Sequence, residues 1–381
     1  MSSGVRLAVF YVAVFAAPGA AMPFLPSFLA SRGLDETAIG LVLAVQQMVR
    51  LGAGPLGGRL ADALAARGRA VALYAFLSAA GVAMFLPAWG LPGLLLAAAL
   101  YGALAAPIVP LADSIAFREA SAGRMDFGLV RSLGSVSFML FTGIGAVLLQ
   151  NLGPEAIVLL MVFGQAATGL SALFLPSGRL PPARAGFRSA GAMLSGPFLL
   201  LLLSAGLVQG SHALVYAFST LHWTAAGHST TTVGLLWAVS VVAEIVLLAR
   251  ARALTGRFGP VQLASLAALA ATLRWLGLAV TTELWALVLL QILHAASFAC
   301  MMLASLALVA RLAPPELAGT AQAVHAAFGP GLGLFVLTLA SGPLYAAVGG
   351  LGFLVMAVAS AAAFPALVLL ARRLPSSAGP A

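Results

Sequence analysis

The sequence predicts an all-α membrane protein with twelve transmembrane helices in two pseudo-symmetric six-helix bundles. Three observations predict it. Apolar stretches of about 20 residues, the length an α-helix needs to cross a hydrocarbon core, recur along the whole chain. Basic residues collect on one side of alternate stretches. Positions in the second half of the chain repeat positions in the first. A mean hydropathy of +1.08 over 381 residues, with 62% hydrophobic and 8% charged residues, exceeds what a soluble domain of this size needs. The short alternating segments of a transmembrane β-barrel are not seen.

Taken in order, the spans read 6–30, 37–61, 69–89, 92–117, 126–149, 154–175, 196–223, 231–254, 259–280, 284–310, 317–341 and 349–371. The first could pass for a signal peptide, since Arg6 precedes an apolar run to Ala21. Apolar character continues through Phe24, Leu25, Phe28 and Leu29, so it is read as an uncleaved span. Most connections are very short. The exception, 177–195, is rich in Pro, Gly and Arg and is read as a cytoplasmic linker between bundles 1–176 and 196–381.

Charge sets the expected orientation. With the N-terminus inside, fifteen arginines lie at the cytoplasmic ends and only Arg32 lies outside. Both termini are then cytoplasmic, in a bacterial inner membrane. The formal charge of +9 needs no nucleic acid to explain it; anionic lipid suffices. All 19 basic residues are arginine, which excludes the lysine of a phosphate-binding P-loop. The lone Cys300 forms no intramolecular disulfide. No catalytic or metal-binding motif is present and the acids are scattered, so the reading is no enzyme, no cofactor and no metal.

The halves echo each other. Gly40 to Val45 matches Gly234 to Val239 at an offset of 194, which also sets Arg50 against Glu244. Gly128 and Arg131 match Gly319 and Gln322 at an offset of 191. Two parallel repeats are the build of a secondary transporter with its site near mid-membrane.

Five charges lie inside apolar spans: Arg50, Asp113, Arg131, Glu244 and Arg274. An ionised group there costs roughly 3 kcal/mol on insertion scales, so it pairs, meets water or serves function. Asp113 and Arg131 fall at one depth on neighbouring spans, either as a pair or as two snorkelling groups. Glu244, Arg274 and His294 can meet in the second half, for proton coupling or as a structural ion pair. Three arginines against two acids leave one positive charge, which a substrate monocarboxylate would match. Arg131 and Arg50 are the candidates to hold it, because a planar guanidinium takes a carboxylate bidentately. Gln209, His212, Tyr216 and Trp223 share a helical face, for an aromatic ring or for packing and interfacial anchoring. Gln46, Gln47 and Gln322 are further polar cavity candidates. Gly54-xxx-Gly58 and Gly329-xxx-Gly333 read as ridges for close helix approach.

After span 2 stand Gly58-Arg59-Leu60-Ala61-Asp62 and then Arg67-Gly68-Arg69. This resembles the Gly-x-Leu-Ala-Asp-Arg-x-Gly-Arg signature of the major facilitator superfamily, with a longer gap after the Asp. A charge cluster at helix ends there would lock neighbouring helices in one conformation. Within that superfamily, Pro107-Ile-Val-Pro-Leu-Ala-Asp113, Val130-Arg131-Ser-Leu-Gly-Ser135, Gln209-Gly-Ser-His212, Val241-Val-Ala-Glu244 and Gln291-Ile-Leu-His294 resemble the phenylpropionate permease family. That family is related to lactose permease and the nucleoside/proton symporters.

The resemblance implies proton-coupled uptake of 3-phenylpropionate-like acids, a substrate role for Arg131 and Asp113, and a coupling group of Glu244, Arg274 and His294. It departs at Ser297, where lactose permease has a second acid, so Glu244 either carries the proton alone or coupling differs. The expectation is a monomer that imports a small aromatic carboxylate with protons by alternating access. Uptake of a sugar or nucleoside, efflux of hydrophobic compounds, and a transport-inactive sensor or scaffold remain open at this point.

Overall fold

A computed structural model describes residues 2–63, 67–176, 195–314 and 317–374. The expected linker stretch 177–194 and the side chain of Asp62 lie outside the described residues. In the first half the helices are α1 (Ser3–Ser31), α2 (Glu36–Ala63), α3 (Arg67–Ala83), α4 (Gly90–Ala105), α5 (Ile108–Ser121), α6 (Phe127–Leu152) and α7 (Glu155–Ala172). In the second they are α8 (Gly196–Gly210), α9 (Ala213–Ala225), α10 (Thr230–Ala249), α11 (Ala251–Arg257), α12 (Pro260–Val280), α13 (Leu284–Leu312), α14 (Ala318–Ala326), α15 (Leu332–Val348), α16 (Phe353–Ala361) and α17 (Ala363–Arg373).

Ten segments are long and apolar enough to cross a membrane. One of them, Ala318–Arg373, runs to 56 residues and holds two spans, while α3 at 17 residues is shorter than the rest. Twelve expected spans thus have helical counterparts. Several are broken, two of them at or near a proline. Pro107 has no amide hydrogen and separates α4 from α5. A turn at Ser211 and His212 separates α8 from α9, and a π-helical turn at Ala327–Gly331, containing Pro330, separates α14 from α15.

Local chemistry marks the helix starts. Ser2 accepts from Val5 N, Asp126 from Leu129 N and Ser195 from Phe198 N, each as an N-cap. Helix α6 ends at Gly153, whose φ of 87° favours glycine.

The described residues cluster into two compact units. The first gathers Met1–Pro182 with Val215–Val241 and Thr338–Gly349. Its centre is α1, packed by Leu7, Phe10, Tyr11 and Val14 against Val71, Ile108, Leu111 and Ile115. Pro18, Pro23 and Pro26 lie inside α1. Pro23 cannot donate to the carbonyl of Gly19, and the Thr142 hydroxyl of α6 donates to it instead at 2.8 Å. The same unit brings parts of α9, α10 and α15 onto first-half helices. Thr220 donates to Pro23 O, and Thr231 donates to Gln150 Oε1 at 2.6 Å. The two repeat-related glycines both mark tight crossings here. A Cβ on Gly40 would stand 2.7 Å from Gly342 Cα, and one on Gly234 would stand 2.7 Å from Ala146 Cβ.

The second unit gathers Ala183–Leu214, Val242–Leu337 and Gly350–Ala381. Its tightest crossing sets Gly206 and Gly210 of α8 against Gly329 and Gly333. The Gly329-xxx-Gly333 ridge is therefore used as expected. The Gly54-xxx-Gly58 ridge is not: an added Cβ at either glycine meets nothing, and the close approach falls on Gly57, against Pro107. Period-4 glycines establish a shared face, but rotation of α2 decides which face meets a neighbour. Gly333→Leu should overpack the crossing and cost about 1–3 kcal/mol or more. Melting of the purified protein is the check; an unchanged midpoint would contradict the backbone contact.

Candidate functional site

Each unit holds a cluster of polar groups within its helices. In the first, α1, α5 and α6 bring together Tyr11, Phe15, Asp113 and Arg131. Arg131 Nε stands 3.9 Å from Asp113 Oδ1, so the expected pair is present but loose. The Tyr11 hydroxyl donates a hydrogen bond to the same carboxylate oxygen. The Arg131 guanidinium lies 4.4 Å from the Phe15 ring centre and 5.4 Å from that of Tyr11. Cation–π attraction supports it there. Its side chain remains 31% exposed, so an entering anion can reach it.

Tyr11 and Phe15 were missing from the sequence-based site. They lie one helical turn apart on α1, which puts them on one face. Nothing local says that this face meets α6. Tyr11→Phe should cost about 1.5–3 kcal/mol, as a lost hydrogen bond to a charged group. Thermal melting at fixed detergent composition measures it; no loss would mean that Asp113 is satisfied otherwise.

The remaining first-unit candidates are spread out. Arg50 is exposed on α2, close enough to Tyr101 for its charge to act there. Gln46 and Gln47 are half-buried on the same helix. Gly58 is half-buried with open space at its Cα. Arg67 donates to Ser114 Oγ at 3.2 Å, tying the start of α3 to α5, and Arg69 is exposed. A buried acid that the sequence reading did not single out, Glu119, is 2% exposed. It accepts two hydrogen bonds from Arg124 at 2.7 Å and lies 3.4 Å from Arg118. This bidentate pair closes the turn from α5 to α6.

The turn at Ser211 and His212 interrupts the helix. Tyr216 packs on Trp237 of α10 at 5.8 Å, and the Trp237 indole donates to Ser219 at 3.3 Å. Trp223 is fully buried, and His222 bonds to the Tyr345 hydroxyl at 3.2 Å.

In the second unit, Gln209 and His212 meet α12 and α13. His294 Nε2 lies 3.9 Å from Glu244 Oε2 of α10. Arg274 is 2% exposed and donates to Gln291 Oε1 at 2.6 Å and to Leu290 O at 3.0 Å. Its guanidinium sits 4.5 Å from the Trp275 ring centre and acts electrostatically on both His212 and His294. The expected Glu244–Arg274–His294 group thus occurs in one neighbourhood, with Gln291 as a further member. Ser297 is fully buried; its hydroxyl donates to His294 O at 3.0 Å and lies 3.2 Å from His212 Nε2. The signal for Gln291 and Phe298 was in the sequence, since both lie at helical spacing from His294. Gln322 is half-buried on α14.

The helices described, long and apolar with charged and polar groups inside their spans, fit a multi-pass membrane protein, and the family and relatives it matches make it a transporter of small molecules. The chain belongs to the MFS_1 like family of the major facilitator superfamily, whose family model matches residues 5–355. It is 30% identical over 379 residues to the "Probable 3-phenylpropionic acid transporter" of Escherichia coli (strain K12), covering 97% of this chain and 98% of that one. It is 29% identical to the maltose permease of Geobacillus stearothermophilus, over 88% of this chain and 86% of the permease. Its fold matches the crystal structure of the nucleoside transporter NupG with a TM-score of 0.82 at 17% identity, covering 98% of this chain and 100% of that one. A bacterial homolog of the human lysosomal transporter Spinster, in an inward-facing unoccupied conformation, matches with a TM-score of 0.73 at 17% identity, over 97% and 96% of the two chains.

Proposed function

We propose that the protein imports a small aromatic monocarboxylate, of the 3-phenylpropionate type, together with one or more protons. The observation that carries this reading is the Arg131 site. A reachable guanidinium is flanked by the rings of Tyr11 and Phe15, and the adjacent carboxylate of Asp113 bonds to Tyr11 rather than saturating the arginine. An arylalkanoate matches both parts, with its carboxylate on the cation and its ring against the aromatic side chains. The E. coli relative supports the same substrate class.

Glu244, Arg274 and His294 are the coupling group in this reading. Ser297 makes Glu244 the only acid of that neighbourhood assigned to the proton. Residues 1–176 and 196–381 act as the two rocking halves, both termini facing the cytoplasm across a bacterial inner membrane. The Gly58, Asp62, Arg67 and Arg69 loop biases one conformation, and the protein works as a monomer in contact with lipid. Alternating access then exposes the substrate site to each side in turn.

Uptake and counterflow into proteoliposomes are the test, comparing aryl carboxylates, maltose and nucleosides with and without a protonophore. Accumulation of an aryl carboxylate that the protonophore collapses is expected. Transport of maltose or a nucleoside with no carboxylate transported would replace this reading with the second one, favoured by the maltose permease relative.

A further inference from the structure

The ion pair of the first unit is loose on both sides. Arg131 Nε stands 3.9 Å from Asp113 Oδ1, beyond hydrogen-bond reach. The Tyr11 hydroxyl donates to that same Oδ1, so both contacts of the carboxylate fall on one oxygen and neither engages Oδ2. The Asp113 side chain is 28% exposed and that of Arg131 31%, so neither is sealed from a small ligand. The rings of Phe15 and Tyr11, 4.4 Å and 5.4 Å from the guanidinium, hold it in place without help from the acid.

Few other charges bear on Asp113. Tyr11 comes from α1 and Arg131 from α6. Arg67, at the start of α3, donates to Ser114, the next residue along α5. Helix α4 has no charged residue, and Arg50 of α2 acts on Tyr101. Among the described residues, Arg131 is the charged group that acts on Asp113.

The charge of the pair then depends on what is bound. Empty, it is neutral, with one guanidinium and one carboxylate. A substrate carboxylate on Arg131 would set two carboxylates against one guanidinium and leave a net negative charge within a membrane span. That state is costly, and two adjacent carboxylates do not both stay ionised. One proton from water removes the excess. It bonds to Asp113, whose Oδ1 keeps accepting from Tyr11, and the new acid O–H can donate to the incoming carboxylate. No other bond changes, and the loaded site is neutral, as the empty one was.

We propose that Asp113 is a second proton site, loaded when the substrate displaces it from Arg131, so that each aryl carboxylate enters with a proton bound beside it. The assignment rests on the aryl carboxylate reading above for the identity of the anion. It adds to Glu244 and does not replace it. An amide at either position leaves the empty carrier one positive charge richer, which opposes its return across the membrane. Exchange of bound for free substrate never uses the empty carrier and escapes this. By linkage, a substrate that promotes protonation is bound more tightly when the proton is present.

The test counts protons. The Glu244→Gln variant of the full chain, in weakly buffered detergent solution, keeps the other acid silent. Adding 3-phenylpropionate should draw about one proton from solution per substrate bound. The dissociation constant, read by calorimetry, should rise roughly tenfold per pH unit above neutrality. Adding Asp113→Asn should abolish both effects; asparagine still accepts from Tyr11 through its side-chain oxygen, which preserves the α1–α5 contact. Binding without proton uptake that depends on Asp113 would overturn the second proton site and leave the carboxylate reading intact. If no aryl carboxylate binds, the carboxylate reading fails, and the proton site is judged without substrate. Arg131→Gln removes the cation from Asp113 as a bound anion would. The infrared band of a protonated carboxyl at neutral pH should exceed that of the wild type and vanish when Asp113→Asn is added. An unchanged band would overturn the site.

Discussion

Arg131→Gln is expected to lower aryl carboxylate uptake by roughly a hundredfold, a loss of about 3 kcal/mol, the upper end for hydrogen bonds to a charged group. The expectation follows from geometry. The glutamine amide reaches less far, carries no charge and cannot offer the planar fork that accepts two carboxylate oxygens. Arg131→Lys keeps the charge but not the fork and should lose roughly tenfold. Asp113 remains bonded to Tyr11 in both variants, so the α1–α5 contact is preserved and the protein should still reach the membrane. Initial uptake rates normalised to membrane-inserted protein decide the matter. Uptake within twofold of wild type in Arg131→Gln would remove Arg131 from the binding site.

The second large effect concerns coupling. Glu244→Gln should abolish accumulation against a gradient while leaving exchange down a gradient in place. Glu244 lies 3.9 Å from His294, and its side chain is 22% exposed, so a proton has both an acceptor and a way in. An amide of the same shape retains hydrogen bonding but takes up no proton near neutrality. A substrate that still reaches its site then equilibrates without being driven. The measurement is a pair of assays on one preparation, proton-driven accumulation and substrate counterflow. Wild-type accumulation in the variant would take Glu244 out of the mechanism, and loss of counterflow as well would assign it to substrate binding.

Much of this molecule was legible along the chain. Spans are local properties, since about 20 apolar residues meet the length requirement wherever they occur. Depth was legible too. Counting residues from span ends set Asp113 and Arg131 at one level, and they lie 3.9 Å apart. Helix breaks at Pro107 and near Pro330 follow from the missing amide hydrogen. What counting leaves out is rotation about each helix axis. Tyr11 was invisible as a partner of Asp113 because the aromatic face of α1 can point to any neighbour. Gly54 and Gly58 spaced correctly for a ridge, yet the contact falls on Gly57. The helix expected to carry Gln209, His212 and Tyr216 on one face is interrupted by a turn at Ser211 and His212, where no proline marks a break.

Ser297 shows the division most clearly. In the sequence it is an absence, a serine where a related permease has an acid. In the folded chain its hydroxyl lies 3.2 Å from His212 Nε2 and 3.0 Å from His294 O, and so helps orient one histidine of the polar group. The amino-acid order alone determined that the chain is a helical membrane protein and which charged groups stand in its spans, because hydropathy and helical rise act over neighbouring residues. Only the tertiary structure decided which of those groups meet, because the packing of distant helices sets their rotation, and a side chain in the wrong azimuth touches nothing at any depth.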